Sequence, residues 1–171
     1  VHLGPFLTFQ TRNFDFTVPW NEPPNARLYR SALPIFLNPE FPQVFNEEGF
    51  ALSHLAANSR VFPIVTVEQS SGKTLPESKS KPLRIRDLTD GTSNTILLGE
   101  VRENFKPWGH PVNVRDPATG MNRSPNGFGG PGPGAFMLLA DGTVRLIRKN
   151  TDPEVLRRLA TPDDGEPVGG F

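Results

Sequence analysis

The chain has 171 residues, with 18 basic and 18 acidic side chains, 19 Pro, 16 Gly and no Cys. Its length bounds it to one domain, residues 1–171, or one domain with long extensions. The missing cysteine excludes disulfides, thiolate metal sites and a Cys nucleophile, and zero net charge lacks the basic excess of an electrostatic nucleic-acid binder. A hydrophobic fraction of 36% predicts a modest core carrying long loops. No apolar run reaches the ~18 residues of a membrane span, so this chain carries no transmembrane segment.

Residues 1–18, VHLGPFLTFQTRNFDFTV, are Phe-rich, and Phe14, Phe16 and Val18 alternate as in a strand. Together with Phe6 and Phe9 they are interface candidates if exposed and an ordinary strand if buried. The start at Val1 without a Met leads to the expectation of a processed or truncated product. Residues 19–27, PWNEPPNAR, read as a stiff Pro-rich extended segment anchored by Trp20. Pro34, Pro39 and Pro42 rule out a long helix over 28–45. Residues 46–58 fit one short helix, with Phe50, Leu52, Leu55 and Ala56 as apolar positions and Gly49 weakening it.

Residues 61–67, VFPIVTV, predict a strand by β-branched content, pushed toward a sheet edge or bulge by Pro63. A solvated surface loop is expected over 68–82, and an alternating segment, LRIRDLT, over 83–89. It leads into the polar turn at Asp90-Gly91, and residues 95–101 then read as a buried strand. A second surface loop is expected over 109–134, including the glycine-rich tract at 127–134.

Residues 136–140 and 143–147 form a predicted hairpin around Asp141-Gly142, a pair that two-residue type I′ turns favour. A helix should follow. Thr151 or Asp152 can cap it, Pro153 suits its first turn, and Glu154 stands three residues after Thr151 as in a capping box. Val155, Leu156 and Leu159 share one face, and Pro162 ends it. These elements together predict an α+β fold, a mainly antiparallel sheet with long Pro/Gly loops and a short C-terminal helix.

Three separated motifs carry a resemblance. They are Ile85–Ile96 (IRDLTDGTSNTI) with Glu100 and Pro107-Trp108; Gly129-Gly130-Pro131 followed by Leu139–Ile147 (LADGTVRLI); and Asp152–Thr161 (DPEVLRRLAT) with Gly165-Glu166. In this order, with Pro19-Trp20-Asn21 and Asn25 ahead of them, residues 19–168 resemble the bacterial family of domain of unknown function 1559. Its members typically begin with a prepilin-type motif and a long hydrophobic helix, which do not occur among these residues. The resemblance implies a pilin-like or pseudopilin-like domain outside the cytoplasm, periplasmic or at the cell surface, with no established enzymatic activity.

Asp90, Asn94 and Glu100 are weak calcium candidates, since Ca²⁺ takes carboxylate and amide oxygens from turns. The competing reading is local hydrogen bonding within the turn, with Glu100 paired to Arg84 or Arg145. Asp90, Gly91, Asp141 and Gly142 read as structural turn residues. The Asp163, Asp164 and Glu166 cluster reads as solvated charge. His2, His54 and His110 lack metal-ligand spacing, and no G-x-S-x-G elbow supports a triad. Trp20 and Trp108 are loop anchors or interface candidates.

The sequence thus points to a non-enzymatic structural or interaction domain without a cofactor. Its expected partners are protein subunits of a larger assembly, through which it would associate with a membrane peripherally. A small-molecule or carbohydrate-binding module lined by Trp20 and Trp108 is the alternative, and a hydrolase using His54 or His110 is the third reading.

Overall fold

A computed structural model describes residues 14–15, 17–68, 74–77, 83–166 and 168–169, with the backbone alone at 65–68 and 74–77. Phe6, Phe9, Phe16 and His2 lie outside the described residues. In chain order the helices are α1 (Ala26–Tyr29) and α2 (Pro153–Ala160). The strands are β1 (Leu52–Ser53), β2 (Leu55–Asn58), β3 (Val65–Glu68), β4 (Thr74–Glu77), β5 (Ile96–Glu100), β6 (Lys106–Pro107), β7 (Val114–Arg115), β8 (Gly134–Leu139) and β9 (Val144–Arg148).

The fold is α+β and mainly sheet. A five-stranded sheet runs β7-β2-β5-β8-β9. Its neighbours are antiparallel except β7, which lies parallel to β2. Two short ribbons, β1–β6 and β3–β4, stand beside it. β5 takes the centre because TILLGEV offers a continuous apolar run. Its register slips between Ile96 and Leu98, so Leu97 sits in a bulge. One face of the sheet carries Ala56, Ile96, Ala135, Met137, Leu139 and Ile147 into the core. Leu156 and Leu159 of α2, with Met121 and Phe128 from the long loop, close over it. Burying each of those leucines stabilises the fold by about 1.5–3 kcal/mol.

Helix α2 starts as the sequence predicts, with Asp152 as its cap: the carboxylate accepts the Glu154 amide at 2.7 Å. Glu154 does not complete a capping box. Its carboxylate takes Arg157 and Arg158 instead, which holds its pKa down at about 2 through those hydrogen bonds.

Several expectations are corrected. No helix forms over 46–58. Gly49 sits at φ 78° and closes a turn, and the apolar residues after it enter β1 and β2. Phe50 through His54 are buried without a break, a run that helical spacing and a buried strand share. The strand expected over 61–67 begins only at Val65, as β3, because the Val61 and Phe62 amides fold back to donate to the Asn58 carbonyl. Within the loop expected at 68–82, β4 pairs with β3. Residues 83–89 do not extend: Ile85–Asp87 is a 3-10 turn, braced by the Arg84 amide donating to Asp87. The segment 19–25 is a string of turns leading into α1, not an extended rod. Phe14 lies outside any strand.

The hairpin turn also differs from expectation. Leu139 accepts from Gly142 and donates to Thr143, and Gly142 has positive φ (87°) while Asp141 does not. The loop is therefore three residues, Ala140 to Gly142, a type I turn with a glycine bulge. At the far end of the hairpin, a Cβ on Gly134 would run into the Ile147 carbonyl oxygen. That neighbour is backbone and cannot rotate away. Gly134→Ala should lower unfolding free energy by about 1–3 kcal/mol, the range of core overpacking, read by chemical denaturation.

Candidate functional site

The Asp90 turn is built from its own polar groups. Gly91 takes φ 95°, Thr92–Asn94 make a 3-10 turn, and Asn94 donates to the Asp90 carbonyl at 2.9 Å. Asp90 itself is 4% exposed. Its carboxylate oxygens accept the amides of Asp164 at 2.9 Å and Gly165 at 2.8 Å. The turn thereby holds the segment after α2. The two D-G-T turns also meet: the Asp141 amide donates to the Thr92 carbonyl, and the Ala140 amide to that of Thr95. Asp141 accepts both the hydroxyl and the amide of Thr143, which lowers its pKa.

Glu100 faces away from this cluster's purpose. One oxygen accepts from Asn38 at 2.9 Å and the other from the Phe136 amide at 2.8 Å. Neutral donors thus take the place of the Arg84 or Arg145 expected there. Among the described residues no group of three or more His, Asp or Glu is placed to hold a metal ion.

Removing the Asp90 carboxylate would strand two amides. Charge-assisted hydrogen bonds contribute about 1.5–3 kcal/mol each and share one acceptor here. Asp90→Ala should therefore cost about 2–4 kcal/mol and open residues 162–166 to proteolysis, while Asp90→Glu should recover little.

Trp20 and Trp108 enter one aromatic cluster. Trp20 packs on Tyr29, Phe50 and His110 with centroids 5.8, 5.0 and 5.2 Å away. Trp108 packs on Tyr29 at 4.3 Å and on Phe14 and Phe36, and its indole N–H donates to the Ser31 carbonyl at 3.1 Å. Both rings are half-buried. Tyr29 lies between them, so they do not form an open platform for a sugar. An open groove of ≈ 470 Å³ nearby is lined by Pro23, Pro24, Ala26, Arg27 and Leu28.

Both described histidines bond to backbone. His54, fully buried, accepts the Asn38 amide at Nδ1 and donates from Nε2 to the Gln43 carbonyl, both at 2.8 Å. His110 accepts the Val112 amide at Nδ1. Burial, and secondarily Lys106, lowers the His110 pKa. Its unfolded state then binds the proton more tightly, so its contribution is present above the ordinary value of about 6.5 and is lost as pH falls through the folded value. We expect the melting temperature to drop more steeply between pH 7.5 and 5 in the natural chain than in His110→Gln. Trp fluorescence should report the same transition, since Trp20 touches the ring.

The large apolar surface lies elsewhere. On the sheet face opposite α2, Phe136 is 53% exposed, Val144 62% and Leu146 37%. Phe136 is directly opposite Leu146 across the hairpin, and Leu138 opposite Val144. The sequence reading missed these residues, because FMLL is apolar on both faces and shows no period of two. The alternation of Arg145 with Val144 and Leu146 points the wrong way, since it would place the two apolar residues on the core face, where Ile147 is buried instead.

The family described as protein of unknown function (DUF1559) matches residues 11–127. That span covers more than half of the chain, including the Trp20 segment, the whole Asp90 turn and β5. The chain belongs to this family. The hairpin and α2 of this DUF1559 protein lie beyond the matched residues. No curated protein and no solved structure matches the chain. Among the described residues, no helix is long and apolar enough to cross a membrane.

Proposed function

We propose that this DUF1559 protein is a non-enzymatic extracytoplasmic interaction domain, a pilin-like head that serves as an accessory subunit of a larger membrane-associated or filamentous assembly. The observation that carries this reading is the exposed apolar face of Phe136, Val144 and Leu146 on a rigid sheet. Such patches on a folded surface mark contacts with other proteins. The extracytoplasmic, pilin-like placement rests on the sequence resemblance.

The polar side chains support the same reading. Asp90, Glu100, His54 and His110 each satisfy backbone or amide groups of the fold. A catalytic acid, base or nucleophile needs a lone pair turned toward a substrate. Asp90 and Glu100 each spend one acceptor site of both oxygens on these amide donors, and we assign the domain no resident cofactor. The groove at Pro23–Leu28 is the feature that favours a small-molecule module instead, with Arg27 as its cation.

The native mass of the protein isolated gently from its source tests the assignment. Co-purification in fixed ratio with membrane or filament proteins is expected. A monodisperse species at the chain mass of 18.9 kDa would overturn it.

A further inference from the structure

Strand β9 is the open edge of the main sheet: among the described residues no strand pairs with its outer side. Its hydrogen-bonding phase follows from the ends of the hairpin. Leu139 donates to Thr143, and Lys149 donates to Pro133, both at 2.9 Å. The register between them pairs Met137 with Arg145 and Ala135 with Ile147. In an antiparallel ladder, hydrogen-bonded and non-hydrogen-bonded pairs alternate. Arg145 and Ile147 therefore spend their backbone groups on β8. Val144, Leu146 and Arg148 turn their N–H and C=O groups outward. The Phe136 amide confirms the phase, since it points away from β9 and donates to Glu100.

The residues with outward backbone groups are also those with exposed apolar side chains. Val144 is largely exposed and Leu146 about a third exposed, beside Phe136. An added strand would gain a ladder and an apolar contact at once, the combination that strand-addition sites use. A bare apolar edge is an aggregation hazard that proteins blunt with charge. Here the charge has one sign. From Gly142 to Thr151 the sequence holds Arg145, Arg148 and Lys149 and no acid. Arg148 and Lys149 are exposed at the end of the strand.

That sign selects the occupant. Two copies pairing through β9 would gather two sets of these cations on one ribbon, with no acid between Gly142 and Thr151 of either copy to offset them. A strand carrying carboxylates meets the opposite situation. We propose that β9 accepts an extended segment of another protein, with apolar residues beside Val144, Leu146 and Phe136, a carboxylate beside Arg148 on that same face, and a second carboxylate one residue on toward Lys149. This deepens the interaction reading and rests on it.

The test uses the full chain and two blocked synthetic peptides of about ten residues, the upper end of ordinary strand length. Both carry valines at alternate positions to lie beside Val144 and Leu146; the residues beside Arg148 and Lys149 are glutamate in one peptide and lysine in the other. Backbone amide NMR should show the glutamate peptide shifting and protecting the Val144, Leu146 and Arg148 amides. Its affinity should exceed that of the lysine peptide by roughly tenfold or more, an advantage that salt diminishes. Leu146→Pro removes one outward N–H and should abolish binding. Arg148→Glu, an exposed change that leaves the ladder intact, should reverse the peptide preference.

Equal binding of both peptides, or shifts away from β8 and β9, would overturn the proposal. Concentration-dependent protection of the edge amides without peptide would do the same, by making a second copy the occupant. Gentle isolation of the two variants separates this inference from the subunit reading. If they join the native assembly as fully as the natural chain does, the edge assignment fails and the subunit role stands. If the natural chain itself is free of partners, the subunit role fails.

Discussion

The amide of Asn58 is the contact on which the rest of this structure depends. It is fully buried at the end of β2. Its nitrogen donates to the Ile96 carbonyl at 2.8 Å and the Ala160 carbonyl at 2.7 Å, and its oxygen accepts the Arg60 amide at 3.0 Å. One side chain thereby joins β2, the start of β5 and the C-terminus of α2. The last carbonyls of a helix have no partner within it, and at Ala160 that vacancy would lie inside the core. A substitution that removed the amide would leave several buried polar groups unsatisfied together, which is far more damaging than losing a single exposed hydrogen bond.

The same device recurs because regular structure is scarce and loops are long. Asp90 takes the amides of Asp164 and Gly165. Asn25, buried in the N-terminal turns, accepts from Asp15 and donates to the carbonyls of Asp15 and Val18. Glu100 reaches both Asn38 and Phe136. Arg115, buried on β7, donates to the carbonyls of Val114 and Asn104, and desolvation lowers its pKa. In each case a buried or half-buried polar side chain supplies hydrogen bonds to backbone that a helix or sheet would otherwise provide. This satisfies the rule that buried backbone groups find partners. It also explains why a chain with so few apolar residues holds long loops in fixed positions.

This arrangement divides the molecule by role. Asn25, His54, Asn58 and Asp90 face inward, and the Trp and Tyr rings pack on one another, holding loops onto the sheet. Among the described residues, the sheet face opposite α2 carries apolar side chains, and β9 is its open edge strand. Phe136, Val144 and Leu146 stand side by side on the β8–β9 hairpin, the part of the chain whose backbone is most regularly bonded. A rigid hairpin presents side chains without the ordering entropy that a loop would lose on contact.

Local sequence determined the features that need only neighbours: the strand at 95–101, the hairpin around Asp141-Gly142, and the helix begun by Asp152 and Pro153. Each has a turn or cap signal written within a few residues of it. Helix and strand at 46–58 were not separable locally, since the run from Phe50 to His54 is buried by contacts from both sides and carries no period. The turn type at Asp141 depended on how many residues the paired strands left over. Which acid would bind which amide was decided by tertiary structure alone, because Asp90 and Gly165, or Glu100 and Phe136, meet only after the sheet has formed. The same holds for the exposed edge: the order of the strands, not the composition of VRLIR, leaves β9 outermost and turns Val144 and Leu146 toward solvent.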